Sequence, residues 1–238
     1  MEAAHSALSS IATGVYSNSM IGYLIQMLLM PLPWKVRRRA LEVVFGFTIS
    51  RSAKIGFSIV APASLRLDSE SSIGHLNLIR GMDLVDLGRG SLISHLNWIY
   101  GMSSHQVISC DGPSALILKE GAGITRRHLI DCSAPVTLGR FSLVAGYGSQ
   151  VLTHAVDLAK NRQSAKSIEI GDYAFVGTRS VILGGASLPS YSALGAGSTC
   201  ALISTMNIRS TQGFRLRRWR RLILMPGFST GRKLEFDS

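Results

Sequence analysis

Ile170–Cys200 reads IGDYAFVGTRSVILGGASLPSYSALGAGSTC, and this stretch decides the fold. Ile170, Val176, Ile182, Leu188, Leu194 and Cys200 follow one another at intervals of six. Two positions before each of the last five stands a small residue: Ala174, Ser180, Ala186, Ser192 and Ser198. A period of six matches neither the helical repeat of about 3.6 nor the strand repeat of about 2, so it belongs to an architectural repeat. Three such flats close a triangular coil, in which the aliphatic side chain fills the interior and the small one fits the corner. Glycine follows the aliphatic residue at Gly171, Gly177 and Gly195, where it is expected to supply the turn dihedrals. The expected fold is an all-β parallel β-helix.

Working outward, Ile55 and Ile73 are 18 residues apart, one full coil, which starts the β-helix near Lys54-Ile55-Gly56. Ile73–Gly81 (IGHLNLIRG) then repeats as Ile93–Gly101 (ISHLNWIYG) at an offset of 20, one coil with a two-residue corner insertion. Asn77 and Asn97 fall at the small-residue position and are expected to stack as an amide ladder. His75 and His95 point the other way, toward solvent. Leu118, Ile124 and Ile130 form a further coil, and Leu138 and Val144 continue it after another offset of 20. Gln150 occupies the next aliphatic slot, where the regular ladder is expected to break. His128 sits in an inward small-residue slot, either as a continuation of the polar ladder or as a second active-site group. Residues 152–167, LTHAVDLAKNRQSAKS, carry no hexad signal. Long excursions from a rigid scaffold are where function concentrates.

The ending IGDYAFVGTRSVILGG with LGAGS resembles that of the hexapeptide-repeat acyltransferases, close to IGD-x-VWIG-x-x-x-x-I-x-x-G…IGAGS. The resemblance covers residues 51–204, most tightly from Val136 onward, and its nearest subgroup is the sugar O-acetyltransferases that include the colanic-acid and maltose enzymes. It implies a left-handed β-helix and an acyl-coenzyme A donor, acetyl-CoA for that subgroup, lying in the groove between two copies of a homotrimer. It further implies that His154, just upstream of the IGD coil, is the general base. A thioester is already activated, so the enzyme mainly has to take a proton from the acceptor hydroxyl, and a neutral imidazole does this near neutral pH. Asp157 is near enough in sequence to accept the other ring N–H and hold the tautomer. Phe175 (where tryptophan is commoner), Gly177, Thr178, Gly195 and Ala196 match the turns that contact the pantetheine arm. The chain departs from the pattern after GAGS: Thr199-Cys200-Ala201 stands where Val-Thr-Lys is frequent, so the lysine near the coenzyme phosphates is missing.

Composition agrees with thin stacked coils. The chain of 238 residues is 46% hydrophobic but only 7% aromatic, with 24 glycines, which favours branched aliphatic layers over a core of large rings. Three cysteines, Cys110, Cys132 and Cys200, have no metal-type spacing and read as buried thiols of a cytoplasmic protein. No two of the six histidines are five apart, as the metal-binding carbonic-anhydrase-like β-helices require, so no metal is expected. The net charge of +11 divides as +2 over 1–50, +3 over 51–205 and +6 over 206–238. With the excess in the flanks and no aromatic stacking platform, nucleic-acid binding by the core is excluded.

Three segments follow: 1–50, helical; 51–205, the β-helix with its excursion at 152–167; and 206–238, a basic tail. Met20–Pro33 (MIGYLIQMLLMPLP) is too short to span a bilayer, which takes about 20 residues. With Trp34 and Lys35–Arg39 beside it, it reads as a cap on the β-helix, a membrane-surface anchor, or both. In the tail, a helix would put Arg217, Arg218 and Arg221 on one face. The function expected is O-acylation of a sugar hydroxyl, on a sugar or lipid-linked saccharide acceptor, by a trimer in peripheral contact with the membrane. An N-acyltransferase on an amino-sugar nucleotide and a non-catalytic scaffold are the alternatives.

Overall fold

The computed structural model describes residues 20–102, 110–157, 162–201 and 217–218. Ile170, Val176 and Ile182 lie on three successive parallel sheets. Leu188, Leu194 and Cys200 stack next to them one coil later, in register Ile170↔Leu188, Val176↔Leu194 and Ile182↔Cys200. The first sheet runs from Thr48–Ile49 to Ser187–Leu188, the second from Lys54–Ile55 to Ser192–Leu194, and the third from Ile59–Ala61 to Thr199–Cys200. The chain is therefore a parallel β-helix, and its coils begin ahead of the expected boundary at residue 51. Branched aliphatic side chains from the three walls fill a narrow core: Val85, Leu87, Ile93, Ile99, Leu116 and Ile124 are fully buried. Each such burial contributes about 1.5–3 kcal/mol.

The role expected of the glycines is corrected. Gly171, Gly177 and Gly195 do not carry the turn; the left-handed residues lie two positions later, at Tyr173, Arg179, Gly185, Tyr191 and Gly197, with φ from 55° to 83°. Only two of these five are glycine. Their backbone N–H groups are held by the neighbouring coil, as in Tyr173 to Arg140 O at 2.8 Å and Tyr191 to Asp172 O at 2.8 Å. These bonds offset the 1–2 kcal/mol or so that a left-handed L-residue costs. Gly177 is needed for a different reason. A Cβ there would lie 2.6 Å from the amide nitrogen of Ala196 on the next coil.

At the corner between the second and third sheets a polar ladder climbs through Ser58, Asn77, Asn97, His128, Ser149 and Ser180, all buried. The Asn97 backbone N–H donates to Asn77 Oδ1 at 2.9 Å, and the His128 N–H to Asn97 Oδ1 at 2.9 Å. The Ser149 N–H donates to His128 Nδ1 at 3.1 Å, and the Ser180 N–H to Ser149 Oγ at 3.3 Å. Each coil thus hands one amide donor to the side chain of the coil before it. The asparagine stack expected from sequence is present, and His128 belongs to it. Outside, His75 and His95 stack at 5.4 Å, and each Nδ1 accepts a backbone N–H, from Phe57 and His75 respectively.

Gln150 does not break the ladder. Its side chain is exposed while Val151 takes the inward place, paired with Ile130 and Ile182. The coil has gained one residue, and the strand register simply slips to restore the apolar fill.

Two helices close the open end: α1 (Met20–Leu29) and α2 (Trp34–Phe45). Gly46 ends α2 in the left-handed conformation, its N–H bonded to Glu42 O. Leu41 and Phe45 plug the first coil. Gln26 of α1 is buried and acts as one more residue of the third sheet: its Nε2 donates to Val60 O at 2.8 Å, and its Oε1 accepts the Val60 N–H at 2.9 Å. Arg37 of α2 is buried and gives its guanidinium to the carbonyls of Ile55, Gly56 and Ser58. Burial pushes its pKa below the usual value. The end-cap expected of this segment is thus built from hydrogen bonds to an otherwise unpaired sheet edge. Among the described residues no helix is long and apolar enough to cross a membrane. In the tail, Arg217–Arg218 is a short strand rather than part of a helix, and it pairs antiparallel with Ser192–Ala193. The rest of the tail, Arg221 included, lies outside the described residues.

Candidate active site

Along the third sheet the inward residues are Ile79, Ile99, Ile130, Val151, Ile182 and Cys200, spaced 20, 31, 21, 31 and 18 apart. The two intervals of 31 mark two excursions, both leaving the corner between the third and first sheets. The second is the segment expected from sequence, and it forms an antiparallel hairpin of His154–Asp157 with Arg162–Ala165. The first, which runs past Gly101 to Ser114, was not expected. Its signal was the 31-residue step from Ile99 to Ile130.

The two excursions buttress each other. Cys110 pairs with Ala165 in a parallel bridge, the Asp111 N–H donates to Ala165 O at 3.3 Å, and the Ser167 N–H donates to Asp111 Oδ2 at 3.1 Å. Ala134 and Ala165 form a small apolar cluster with Met102 and Cys110 beneath them. The hairpin is therefore held at its root on the wall of the β-helix.

His154 opens the hairpin and is half-buried. Its backbone N–H donates to Asp131 Oδ2 at 2.9 Å. Asp131 is 2% exposed, and its Oδ1 accepts from the Ser133 N–H at 2.9 Å and the Ser133 hydroxyl at 2.6 Å. Thr153, also buried, donates to Asp131 O and accepts the Ala134 N–H. This web fixes the backbone on which the imidazole is mounted. The His154 Nε2 is shielded from solvent and has no hydrogen-bond partner among the described residues. An unpaired buried nitrogen costs about 1–3 kcal/mol, which a ligand hydroxyl would recover once the ring turns to open the nitrogen to it.

Asp157 stands three residues along the same strand, paired with Arg162. At about 3.3 Å per residue its Cα lies about 10 Å from that of His154. The carboxylate beneath the His154 backbone is that of Asp131, which sequence reasoning passed over because it occupies an ordinary strand position, Leu129–Asp131. Tyr100 pairs directly with Asp131 on the outer face of the sheet. Burial, then the charge of Asp131, pushes its phenol above the usual pKa, so it remains a donor at the edge of the site.

His128 belongs to the ladder and not to this site. Its Nε2 shares a 2.9 Å hydrogen bond with Thr125 Oγ1, and burial lowers its pKa to about 4. In the unfolded chain the same group titrates near the ordinary 6.5, so between about pH 6.5 and 4 the unfolded state holds a proton that the folded state lacks. Stability accordingly falls as pH is lowered through that window, by on the order of 3 kcal/mol from this residue, and levels off below it. His128→Asn, which prolongs the asparagine ladder, is expected to flatten this part of the stability–pH curve in denaturant titrations. Equal slopes for the two proteins would refute the assignment.

The residues matched to a pantetheine contact lie elsewhere. Phe175 is 46% exposed on the outer face of the second sheet, between Leu143 and Ala193. Thr178 is tied into the fold, its hydroxyl donating to Tyr147 O and accepting the Tyr147 N–H. Gly177 is buried by coil stacking, whereas Gly195 and Ala196 are exposed at the corner between the second and third sheets. A methyl added at Gly195 would meet nothing closer than Ser198 Oγ at 3.5 Å. Within one chain His154 is thus on one corner and this strip on another. A comparison with protein-family models gives no match, and a comparison with curated proteins gives none either. The chain offers one buttressed imidazole with a buried nitrogen unpaired among the described residues, and one open strip of small residues beside an aromatic ring.

Proposed function

We propose that the chain is an acyl-CoA-dependent O-acyltransferase that acetylates a sugar hydroxyl in polysaccharide or glycoconjugate assembly. The observation that carries this reading is His154, held by Asp131 through its backbone while its Nε2 is left without a partner among the described residues. Once the imidazole turns to open Nε2 to the acceptor, the acceptor hydroxyl donates to it and gives up its proton as its oxygen forms the new ester bond. The bond from the acyl carbon to sulfur breaks, and the imidazolium returns a proton to the departing thiolate. The coenzyme supplies an acyl carbon already activated as a thioester; the chain supplies the base and its placement. Gly195 and Ala196, exposed and small, suit close approach of the pantetheine arm, and Phe175 offers it an apolar wall. Arg179 at the same corner, its guanidinium 5.2 Å over the Tyr147 ring, carries the charge that the missing lysine would bring to the phosphates.

The coils are left-handed in this reading, as the resemblance implies, and the assembly is a homotrimer. Support for the trimer comes from the split site: only when the His154 corner of one copy meets the Gly195 corner of the next are base and donor strip brought together. Phe57, Leu76, Leu96 and Tyr147 add exposed apolar surface along that second corner. A lipid-linked saccharide acceptor and peripheral attachment at the cytoplasmic membrane surface complete the reading, supported by the exposed apolar residues of α1. Turnover of acetyl-CoA against a panel of sugar, amino-sugar and nucleotide-sugar acceptors tests the chemistry, with ester formation expected. Acylation confined to amines would replace it with the N-acyltransferase reading. Light scattering is expected to give three times the 25.7 kDa chain mass, and a monomer would refute the shared site.

A further inference from the structure

The helical cap has an outer face that nothing among the described residues covers. On α1, Met20, Ile21, Leu24, Met27 and Leu28 are between 55% and 76% exposed, while Gly22 and Gln26 are buried. At 100° per residue, Leu24 and Leu28 lie about 160° from Gln26 around the helix. Gln26 hydrogen-bonds the N–H and C=O of Val60, and ladder groups of a β-helix point along its stacking axis. The exposed face of α1 therefore looks the opposite way along that axis, away from all the coils. The outer face of α2 does the same, because Leu41 and Phe45 plug the first coil from the other side: Val36 and Val43 are 54% and 79% exposed, with Lys35 and Arg39 beside them. Of the cationic side chains in residues 20–46, Lys35 and Arg39 are exposed on this face, Arg39 lying 3.2 Å from Glu42, whereas Arg37 is buried in the cap and Arg38 pairs with Glu42. The base of the β-helix is thus an apolar surface edged by Lys35 and Arg39, the pattern of an element that lies in a bilayer interface.

We propose that this base docks on an anionic lipid bilayer, so that the β-helix stands upright on the membrane. The inference rests on the membrane attachment proposed above and is independent of the chemistry at His154. It also sets a height. From Ile59–Ala61 to Gln150–Leu152 the third sheet climbs through Leu78–Arg80, Trp98–Tyr100 and Leu129–Asp131, which is four strand spacings. At about 4.8 Å each, His154 stands about 19 Å above the first strand. The acceptor group that reaches it is therefore carried well clear of the lipid, on a saccharide chain and not on a sugar attached directly at the headgroup.

Flotation of the full chain with vesicles tests the docking without any turnover. Binding is expected to vesicles containing phosphatidylserine and not to pure phosphatidylcholine. Leu24→Glu/Leu28→Glu, exposed positions that leave Gln26 in place, is expected to reduce the bound fraction by at least about tenfold with an unchanged unfolding midpoint. Val156→Glu on the hairpin and Tyr191→Glu on a side corner are expected to bind as the parent does. No binding by the parent chain overturns the proposal. Loss on the side variants together with retention by Leu24→Glu/Leu28→Glu overturns the upright stance. A doubling of mass that the α1 variant abolishes, with no lipid binding, shows the face to be a contact between copies instead.

Discussion

Replacement of His154 by alanine is expected to lower the proposed acyl transfer by at least about 100-fold while leaving the unfolding midpoint close to that of the parent, the scale for removal of a general base. The fold is expected to tolerate the change because the imidazole Nε2 bonds to none of the described residues and the anchoring contact to Asp131 comes from the backbone, which alanine keeps. Steady-state turnover with saturating donor and acceptor, alongside thermal unfolding, separates the two effects. Parent-like turnover would remove His154 from the chemistry, and a collapsed midpoint would move it into the structural frame.

Asp131→Ala is expected to cost about 3 kcal/mol of stability, because it strips the acceptor from the Ser133 N–H, the Ser133 hydroxyl and the His154 N–H in a site that water does not reach. The hairpin root should then loosen, so the His154 amide exchanges with solvent faster than amides of the first sheet. Asp131→Asn keeps one carbonyl acceptor and is expected to retain roughly half of that stability. Denaturant midpoints together with amide exchange decide the matter. An Asp131→Ala chain as stable as the parent, with the His154 amide still protected, would show that the carboxylate is not what fixes the site.

The hexads were legible because an inward aliphatic residue answers to a local rule: every sixth position must fill the same narrow interior. The asparagine ladder was legible for the same reason, since Asn77 and Asn97 recur at one offset. What escaped depends on partners far away in the chain. Asp131 looks like any strand residue until the hairpin is laid across it, and Gln26 looks like a polar interruption in an apolar helix until it meets Val60. The glycines misled because a close approach between coils and a left-handed turn both select glycine, and only the neighbouring coil distinguishes them. Pairing His154 with Asp157 followed nearness in sequence, which a hairpin strand stretches to its full length.

The Gln26 amide, in taking the place of a strand, makes the lower end of the molecule a fixed origin from which positions can be counted. A β-helix has no preferred length of its own, and the native coils already tolerate both 18 residues, from Ile55 to Ile73, and 20, from Ile73 to Ile93. Duplicating one such coil between the cap and Trp98 would leave every inward register intact and lift His154 by about 4.8 Å. The height of His154 above the base is thus quantised, and it changes by whole storeys without redesigning the site.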